Sequence, residues 1–126
     1  MERYDYVCVT LTLASPEEIR GLNAQYRQID EPTDVLSFPM WENDRAFAPP
    51  EGWSDLPLGD VIVSPEQVSQ NALEHNIDYN TEMALVVIHG ILHLIGLDHD
   101  TEERRLQMWA EQEEVLKNYF KRVEVI

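Results

Sequence analysis

The stretch HGILHLIGLDH, from His89 to His99, decides the fold because it combines a helical pattern with a pattern of metal ligands. His89 and His93 are four residues apart, so on a helix their side chains leave the same face, with Cβ atoms about 5–6 Å apart. Gly96 stands where a helix often ends in a left-handed turn, which can bring His99 back as a third ligand. Three nitrogen ligands with an open fourth position fit catalytic zinc, whereas four protein ligands usually close a structural zinc site. The stretch therefore predicts a zinc site at a helix end.

The helix that carries these histidines is expected to lie at the centre of the fold. From about Thr81 to Leu97 the sequence is apolar on nearly every side, which is typical of a buried helix. Alternating apolar residues and capping patterns predict the other elements. These are strands from Tyr4 to Leu13, Thr33 to Phe38 and Leu58 to Ser64, and helices from Pro16 to about Gln28, from Pro65 toward Glu74 and from Thr101 to about Phe120. The pattern predicts an α+β fold, in which helices cover a small mixed β-sheet.

Two tetrapeptides have the pattern of a helix start. Ser15-Pro16-Glu17-Glu18 and Ser64-Pro65-Glu66-Gln67 each place a serine before a proline, with Glu or Gln three residues after the serine. We expect a capping box at both. The segment from Met40 to Pro57, by contrast, is rich in prolines and acids and is predicted to be a long loop.

Length and composition predict one domain, residues 1–126. The chain is 44% hydrophobic, which a packed core requires. Its longest apolar run, Met83 to Leu97, is interrupted by two histidines and is too short to cross a bilayer. No signal-peptide pattern is visible at the N-terminus, so a cytoplasmic location is expected. Cys8 has no second cysteine to pair with and is expected to be an inert core residue.

The charge distribution limits the partners that the protein can attract. A formal net charge of −15 opposes general electrostatic binding to DNA, to other nucleic acids or to anionic membranes. Between Arg45 and Arg104 there is no lysine or arginine at all. An anion bound near the histidines must therefore be held by a metal or by a basic residue from elsewhere in the chain.

Other polar residues near the motif have more than one interpretation. His75 lies near the end of a predicted helix and is expected to be a surface residue. Asp98 and Asp100 flank the third histidine and could either orient imidazoles or be solvated turn residues. Glu82 shares the histidine face, but it lies about 10 Å along the helix axis from the first histidine. We expect Glu82 to be a first-turn acid stabilised by the helix dipole.

Three segments resemble one known family. HGILHLIGLDH is similar to the H-G-x-L-H-L-x-G-x-D-H signature of the YbeY family of bacterial rRNA maturation factors, metal-dependent endoribonucleases. LNAQYRQIDEPTDVLSFP, from Leu22 to Pro39, resembles the family segment L-N-x-x-Y-R-x-x-D-x-P-T-D-V-L-S-F-P. Leu58 to Ile62, LGDVI, resembles the family strand that follows it. The similarity extends over roughly Val7 to Trp109.

The resemblance implies a function and a set of site residues. His89, His93 and His99 would hold one zinc ion, which would lower the pKa of a bound water or polarise a phosphoryl oxygen. Arg27 would be the catalytic or RNA-contacting arginine. The substrate would be single-stranded rRNA, cleaved during maturation of the 16S rRNA 3′ end and in ribosome quality control. The small ribosomal subunit or its proteins would be the partner.

The residues themselves support a role for Arg27, because the long stretch without basic residues makes it an economical source of a guanidinium near the metal. Without the resemblance, a surface arginine paired with an acid would be the simpler interpretation. Arg20, seven residues earlier, could extend a phosphate track. Thr33, Asp34 and Ser37 are expected to hydrogen-bond the strand beside the site, although Asp34 could also reach a histidine.

The chain departs from the family pattern at two places. Leu97 stands where the family usually has tyrosine, which removes a hydroxyl near the site but leaves the ligands intact. The family also has a further strand and helix before the strand that here begins near Tyr4. The chain is therefore expected to be short at the N-terminus, with part of one sheet face or edge uncovered.

Two other functions share the histidine spacing. A zinc metallopeptidase of the zincin type would need a glutamate in the place of Gly90, both to activate water and to carry its proton. The glycine argues against peptide hydrolysis and is expected to leave room beside the ion for another substrate. A non-catalytic ribosome-associated module would need a fourth ligand, for which Asp34, His75 or Asp98 are the candidates.

Overall fold

The computed structural model describes residues 6–43, 46–96 and Ala110. It contains strands and helices in the order β1 (Tyr6–Leu13), α1 (Pro16–Arg27), β2 (Val35–Pro39), β3 (Glu42–Asn43), β4 (Ala46–Phe47), β5 (Asp55–Val63), α2 (Pro65–His75) and α3 (Tyr79–Leu94). The predicted α+β class is confirmed. The helix predicted from Thr101 to Phe120 lies outside the described residues, apart from Ala110.

The main sheet has three strands in the order β1-β5-β2 and is mixed, as predicted. β1 is parallel to β5, from Tyr6 opposite Asp55 to Leu13 opposite Val63. β2 is antiparallel to β5. A parallel pair needs a crossover connection, and α1 and β2 both lie between β1 and β5 in the chain. The central β5 is consequently the most buried strand, and it supplies most of the buried residues of the larger core cluster.

The two faces of the sheet are covered by different helices. Val61 and Val63 of β5 pack with Val86 and Leu94 of α3 in the larger core cluster. Leu36 of β2, which points to the other face, packs with Ile19 of α1 and with Ala14. Because side chains alternate along a strand, α1 and α3 lie on opposite faces. No described helix has the length and apolarity needed to cross a bilayer.

The two predicted capping boxes have different outcomes. At α1 the box is present, because the Glu18 amide donates to Ser15 Oγ (3.1 Å) and the Ser15 amide donates to Glu18 Oε1 (3.2 Å). At α2 the helix starts as predicted, but Ser64 makes no side-chain cap bond. The Ser64 amide instead donates to Asp34 O (2.9 Å), so its backbone is held by the start of β2. Its hydroxyl is buried and has no hydrogen-bond partner within the described residues.

Two further expectations are wrong. Cys8 is exposed, because little of the described structure covers the faces of β1, an edge strand of the described sheet, and seven of its eight residues are exposed. The segment from Met40 to Pro57 is not a continuous loop, because it contains the β3–β4 hairpin and the first residues of β5. Strands of two residues carry no readable alternation, so the hairpin could not be predicted from the sequence.

Candidate metal centre

His89 and His93 lie together on α3, as their spacing predicts. Their Nε2 atoms are 3.0 Å apart, and the ring centroids are 4.6 Å apart with the planes inclined by 67°. Both residues are half-buried. Two nitrogens bound to one zinc ion at about 2.0–2.1 Å in a tetrahedral site lie about 3.3 Å apart. The histidine pair therefore has nearly the separation that one shared ion requires.

The chain turns directly after this pair. α3 ends at Leu94, and Gly96 has φ +93° with its amide donating to His93 O (3.2 Å). The left-handed turn predicted at Gly96 is therefore confirmed. His99 lies outside the described residues, as do Leu97, Asp98 and Asp100. Within residues 6–43 and 46–96, no three His, Cys, Asp or Glu side chains form a potential metal site, so the third ligand stays a prediction.

Gly90 faces the sheet and not a substrate space. A Cβ at this position would lie 2.8 Å from Val61 Cγ1, 3.2 Å from Ser37 Oγ and 3.2 Å from Val35 Cγ2. Ser37 Oγ also donates to Gly90 O (2.8 Å). The interpretation that the glycine leaves room beside the ion is therefore wrong. Its role is to let α3 approach β5 and β2, and this contact fixes the helix face that carries the histidines.

Arg27 is the last residue of α1 and is exposed. Its neighbour Tyr26 packs its ring edge-on against Phe38, with centroids 5.1 Å apart. On the other face, Leu94 lies against Gly59, and Gly59 pairs with Pro39 at the end of β2. The ends of α1 and α3 therefore lie at the same end of the sheet, on opposite faces. No ion pair joins the Arg27 guanidinium to a residue of the described ranges.

Asn23 holds the turn that follows Arg27, a role that the sequence did not reveal. Its backbone oxygen accepts from Gln28 and Ile29, and its Nδ2 donates to Glu31 O (2.9 Å). Gln28 adopts the left-handed conformation, with φ 59°. Asn23 is buried. A polar residue on the apolar face of a predicted helix is the sequence feature that could have indicated this role, because buried polar side chains are hydrogen-bonded.

Arg20 holds the same turn from outside. Its Nε donates to Asp30 Oδ1 (2.9 Å), and this hydrogen bond with the nearby negative charge raises the pKa of Arg20. Both side chains are more than half exposed, so the ion pair adds little stability. Arg20 is thus engaged by an acid rather than presented as part of an open phosphate track.

The candidate fourth ligands among the described residues have other partners. Asp34 accepts from Asn71 Nδ2 (3.1 Å) and from Thr33 Oγ1 (3.4 Å), which ties β2 to α2. This is the structural role expected for Asp34. His75 is exposed at the end of α2, as predicted, with its Nδ1 3.5 Å from the buried Glu82. Neither Asp34 nor His75 belongs to a metal-ligand group in the described ranges.

An aromatic cluster adjoins the end of α3. Trp41 and Trp53 meet edge to face, with ring centroids 5.1 Å apart. Phe47 of the hairpin lies against Gly96, where an added Cβ would be 3.2 Å from both Phe47 N and Phe47 Cβ. The sequence placed both tryptophans in a loop and assigned them no function.

Comparison with known proteins adds the family to this geometry. A family model described as Endoribonuclease YbeY matches residues 1–120. A relative from Heliobacterium modesticaldum, named Endoribonuclease YbeY, is 44% identical over 113 residues, which cover 87% of this chain and 68% of the relative. One from Bacillus pumilus with the same name is 39% identical over 121 residues, covering 94% of this chain and 76% of the relative.

A solved structure agrees with these relatives. The solution structure of TM1509 from Thermotoga maritima is 35% identical, with a TM-score of 0.64 over 94% of this chain and 72% of that chain. The family model covers nearly the whole chain. The chain therefore belongs to the endoribonuclease YbeY family.

Proposed function

We propose that this chain is a metal-dependent endoribonuclease that hydrolyses phosphodiester bonds in single-stranded rRNA. The observation that carries the proposal is the 3.0 Å separation of the Nε2 atoms of His89 and His93, on a helix fixed against the sheet. The relatives named endoribonucleases give the type of reaction. Maturation of the 16S rRNA 3′ end and ribosome quality control are the proposed settings.

The proposed ligands are His89, His93 and His99 around one zinc ion. The first two fit such an ion by their separation, and the left-handed turn at Gly96 supports the approach of the third. Zinc, when bound, supplies Lewis acidity, which polarises a phosphoryl oxygen and makes water more acidic.

Arg27 is proposed to bind the phosphate that is cleaved. Hydrolysis joins a water oxygen to phosphorus and breaks the bond to a ribose oxygen, while negative charge gathers on the non-bridging oxygens. A guanidinium offers a rigid fork of donors to such oxygens. Asn23 and the capped end of α1 hold the backbone from which Arg27 extends, and its exposed side chain is accessible to substrate.

A ribosomal partner fits the charge of the protein. With a net charge of −15, the isolated chain should bind free RNA weakly, whereas contacts with the small ribosomal subunit or its proteins could position the RNA. We propose that residues 1–126 form one domain that works in the cytoplasm, with neither DNA nor a membrane as a partner.

The rival functions have less support. A peptidase base in the place of Gly90 would point at Val61 and Ser37 and not at the histidines, so this fold has no space for it. A closed structural site would need Asp34 or His75, which are bonded elsewhere, or Asp98 beyond the described residues.

Metal analysis and cleavage assays test the proposal. The purified chain should contain one zinc equivalent and cut a single-stranded rRNA precursor, but not casein. His93→Ala should lose both metal and cleavage, whereas Arg27→Ala should keep the metal and lose most of the cleavage. RNA cleavage that survives in His93→Ala would reveal a contaminating nuclease, and casein cleavage lost in the same variant would favour the peptidase.

A further inference from the structure

Trp53 is held in place by a second, anchored indole. Trp41 Nε1 donates to Pro57 O (2.6 Å), and Trp41 packs against the main core cluster, so its ring is fixed to the start of β5. Trp53 packs edge to face with Trp41, with ring centroids 5.1 Å apart and planes at 81°. In an edge-to-face pair at most one face of each ring is covered by the other. Trp53 is 44% exposed and therefore presents a fixed aromatic surface to solvent.

This surface lies at the same end of the fold as the histidine pair. The Ala48 amide donates to Trp41 O (2.7 Å), which closes the hairpin and ties Trp41 to Phe47. Phe47 in turn lies against Gly96, three residues after His93. The hairpin therefore borders the turn from which the third proposed ligand follows, and Trp41 connects Trp53 to this hairpin.

The chemistry around Trp53 favours a nucleobase over a phosphate group. Glu42, next to Trp41 in the chain, and Asp55, two residues after Trp53, are exposed acids. From residue 46 to residue 103 the sequence has no lysine or arginine. Acids repel the phosphate backbone, but stacking on an aromatic ring needs no positive charge and accepts any base. Only an unpaired base can leave its neighbours to stack on a protein ring, so such a surface selects single-stranded RNA.

We propose that Trp53 is a stacking platform for one nucleobase of the single-stranded RNA substrate, beside the phosphodiester that is cleaved. This rests on the proposed function for the identity of the ligand. It adds a binding subsite that is independent of the metal and of Arg27, and it explains how an acidic protein can select unpaired RNA near its active site.

Binding of a short fluorescently labelled single-stranded oligoribonucleotide tests this proposal. The measurement uses the full chain carrying His93→Ala, so that no cleavage occurs, and follows fluorescence anisotropy. Trp53→Ala should raise the Kd at least about fivefold, because one base stack contributes about 1–3 kcal/mol. Trp53→Phe, which keeps an aromatic face, should restore most of the affinity. In the cleaving enzyme, Trp53→Ala should raise KM more than it lowers kcat.

Tyr79→Ala is the matched control. Tyr79 is 40% exposed and begins α3, at the opposite end of the helix from the histidines, so its loss should leave the Kd unchanged. An oligomer with abasic sites should bind about as weakly to the parent as the normal oligomer binds to Trp53→Ala.

Three results would overturn the proposal. They are a Kd within twofold of the parent for Trp53→Ala, equal binding of the abasic oligomer, or a Trp53→Ala defect confined to binding of ribosomal subunits. The last would mean that the indole contacts protein. Conversely, Trp53-dependent binding in a wild-type chain that does not cleave RNA would contradict the proposed function and leave the platform standing.

Discussion

Gly90 shows how one residue can set the packing of a helix and limit the chemistry open to the proposed site. In a zinc peptidase this place holds the base, but here the backbone of α3 lies so close to Val61 and Ser37 that a side chain has no room. The bond from Ser37 Oγ to Gly90 O (2.8 Å) uses this closeness. The same contact orients the neighbouring His89, so the glycine contributes to the site through the helix position.

We expect Gly90→Ala to lower the free energy of unfolding by up to about 2 kcal/mol. Overpacking costs about 1–3 kcal/mol and outweighs the roughly 1 kcal/mol that alanine gains in a helix. Gly21→Ala is the matched control, because Gly21 lies within α1 and a Cβ there meets no atom within 4 Å. That variant should gain about 0.5–1 kcal/mol. Urea denaturation of the metal-free proteins measures both, and a stabilised Gly90→Ala would refute the close packing.

Asn23→Ala should reduce RNA cleavage through its effect on Arg27. Loss of the bond to Glu31 O frees the turn after α1, so the guanidinium is less well placed. We expect a fall in kcat of about tenfold, with zinc content unchanged, since misplacement of a catalytic group by 1 Å can cost about 100-fold. Asn23→Ala should add little to the defect of Arg27→Ala. Fully additive losses would mean that Asn23 acts only through stability.

At the scale of the elements, the two helix starts that look alike in sequence differ in structure. Ser15→Ala removes a complete capping box and should cost about 0.5–2 kcal/mol. Ser64→Ala removes a buried hydroxyl that has no partner within the described residues, so it should cost much less or even stabilise the fold. Thermal unfolding of the two variants in EDTA gives the comparison, and equal losses would contradict it.

The start of α3 should depend on pH. Two hydrogen bonds lower the pKa of Asp78 below its ordinary value of 3.8. The bond from Thr81 Oγ1 has the larger effect, and the bond from the Asn80 amide has a smaller one. A carboxylate with a lowered pKa in the folded state stabilises the fold above its ordinary pKa, and this contribution is lost as the pH falls through the folded value. The stability difference between wild type and Asp78→Ala should therefore be largest near neutral pH and should shrink below about pH 4.

Urea unfolding from pH 3 to pH 7 measures this difference. The pKa of Glu18 is also lowered, by hydrogen bonds with Ser15. Glu18 is present in both proteins, so its contribution to the pH dependence cancels in the difference. A difference that stayed constant down to pH 3 would show that the carboxylate charge of Asp78 does not contribute.

The elements that were predicted well from the sequence are those whose ends are marked by capping residues or by a glycine turn. The serine-proline pairs placed the starts of α1 and α2 correctly, and the glycine turn was recognised at Gly96. α3 begins earlier than predicted because Asp78, and not a later residue, caps it. The β3–β4 hairpin was missed because strands of two residues carry no readable alternation. The Trp41 anchor was missed because its partner, Pro57, lies 16 residues later in the chain. The exposure of Cys8 was missed because apolar alternation does not reveal whether a strand lies at a sheet edge.

At the scale of the whole molecule, the proposed site would draw on two segments that are distant in sequence and meet at one end of the sheet. α1 delivers Arg27 on one face and α3 delivers the histidines on the other, with β2 between them as an edge strand. The histidine spacing could be read from the sequence. The distance between Arg27 and the histidines could not be predicted from the sequence, since it depends on how the two helices pack against the strands between them.

The charge of the molecule leads to a prediction about salt. A protein that neutralises Z phosphates of a single strand shows a slope of about −0.7Z in a plot of log affinity against log salt concentration. With Arg27 as its main phosphate contact and a stacked base as the other contribution, this chain should show a shallow slope of about −1. Arg27→Ala should move the slope toward zero by about 0.7, whereas Trp53→Ala should lower the affinity at every salt concentration and leave the slope unchanged.

Arg20→Ala is the control for this prediction, because the Arg20 guanidinium is already bonded to Asp30. Anisotropy titrations from 50 to 300 mM salt, on chains that carry His93→Ala, give all four slopes. A steep slope of about −3 or more would mean that several basic residues bind phosphates, and Arg27 would then not be the main contact.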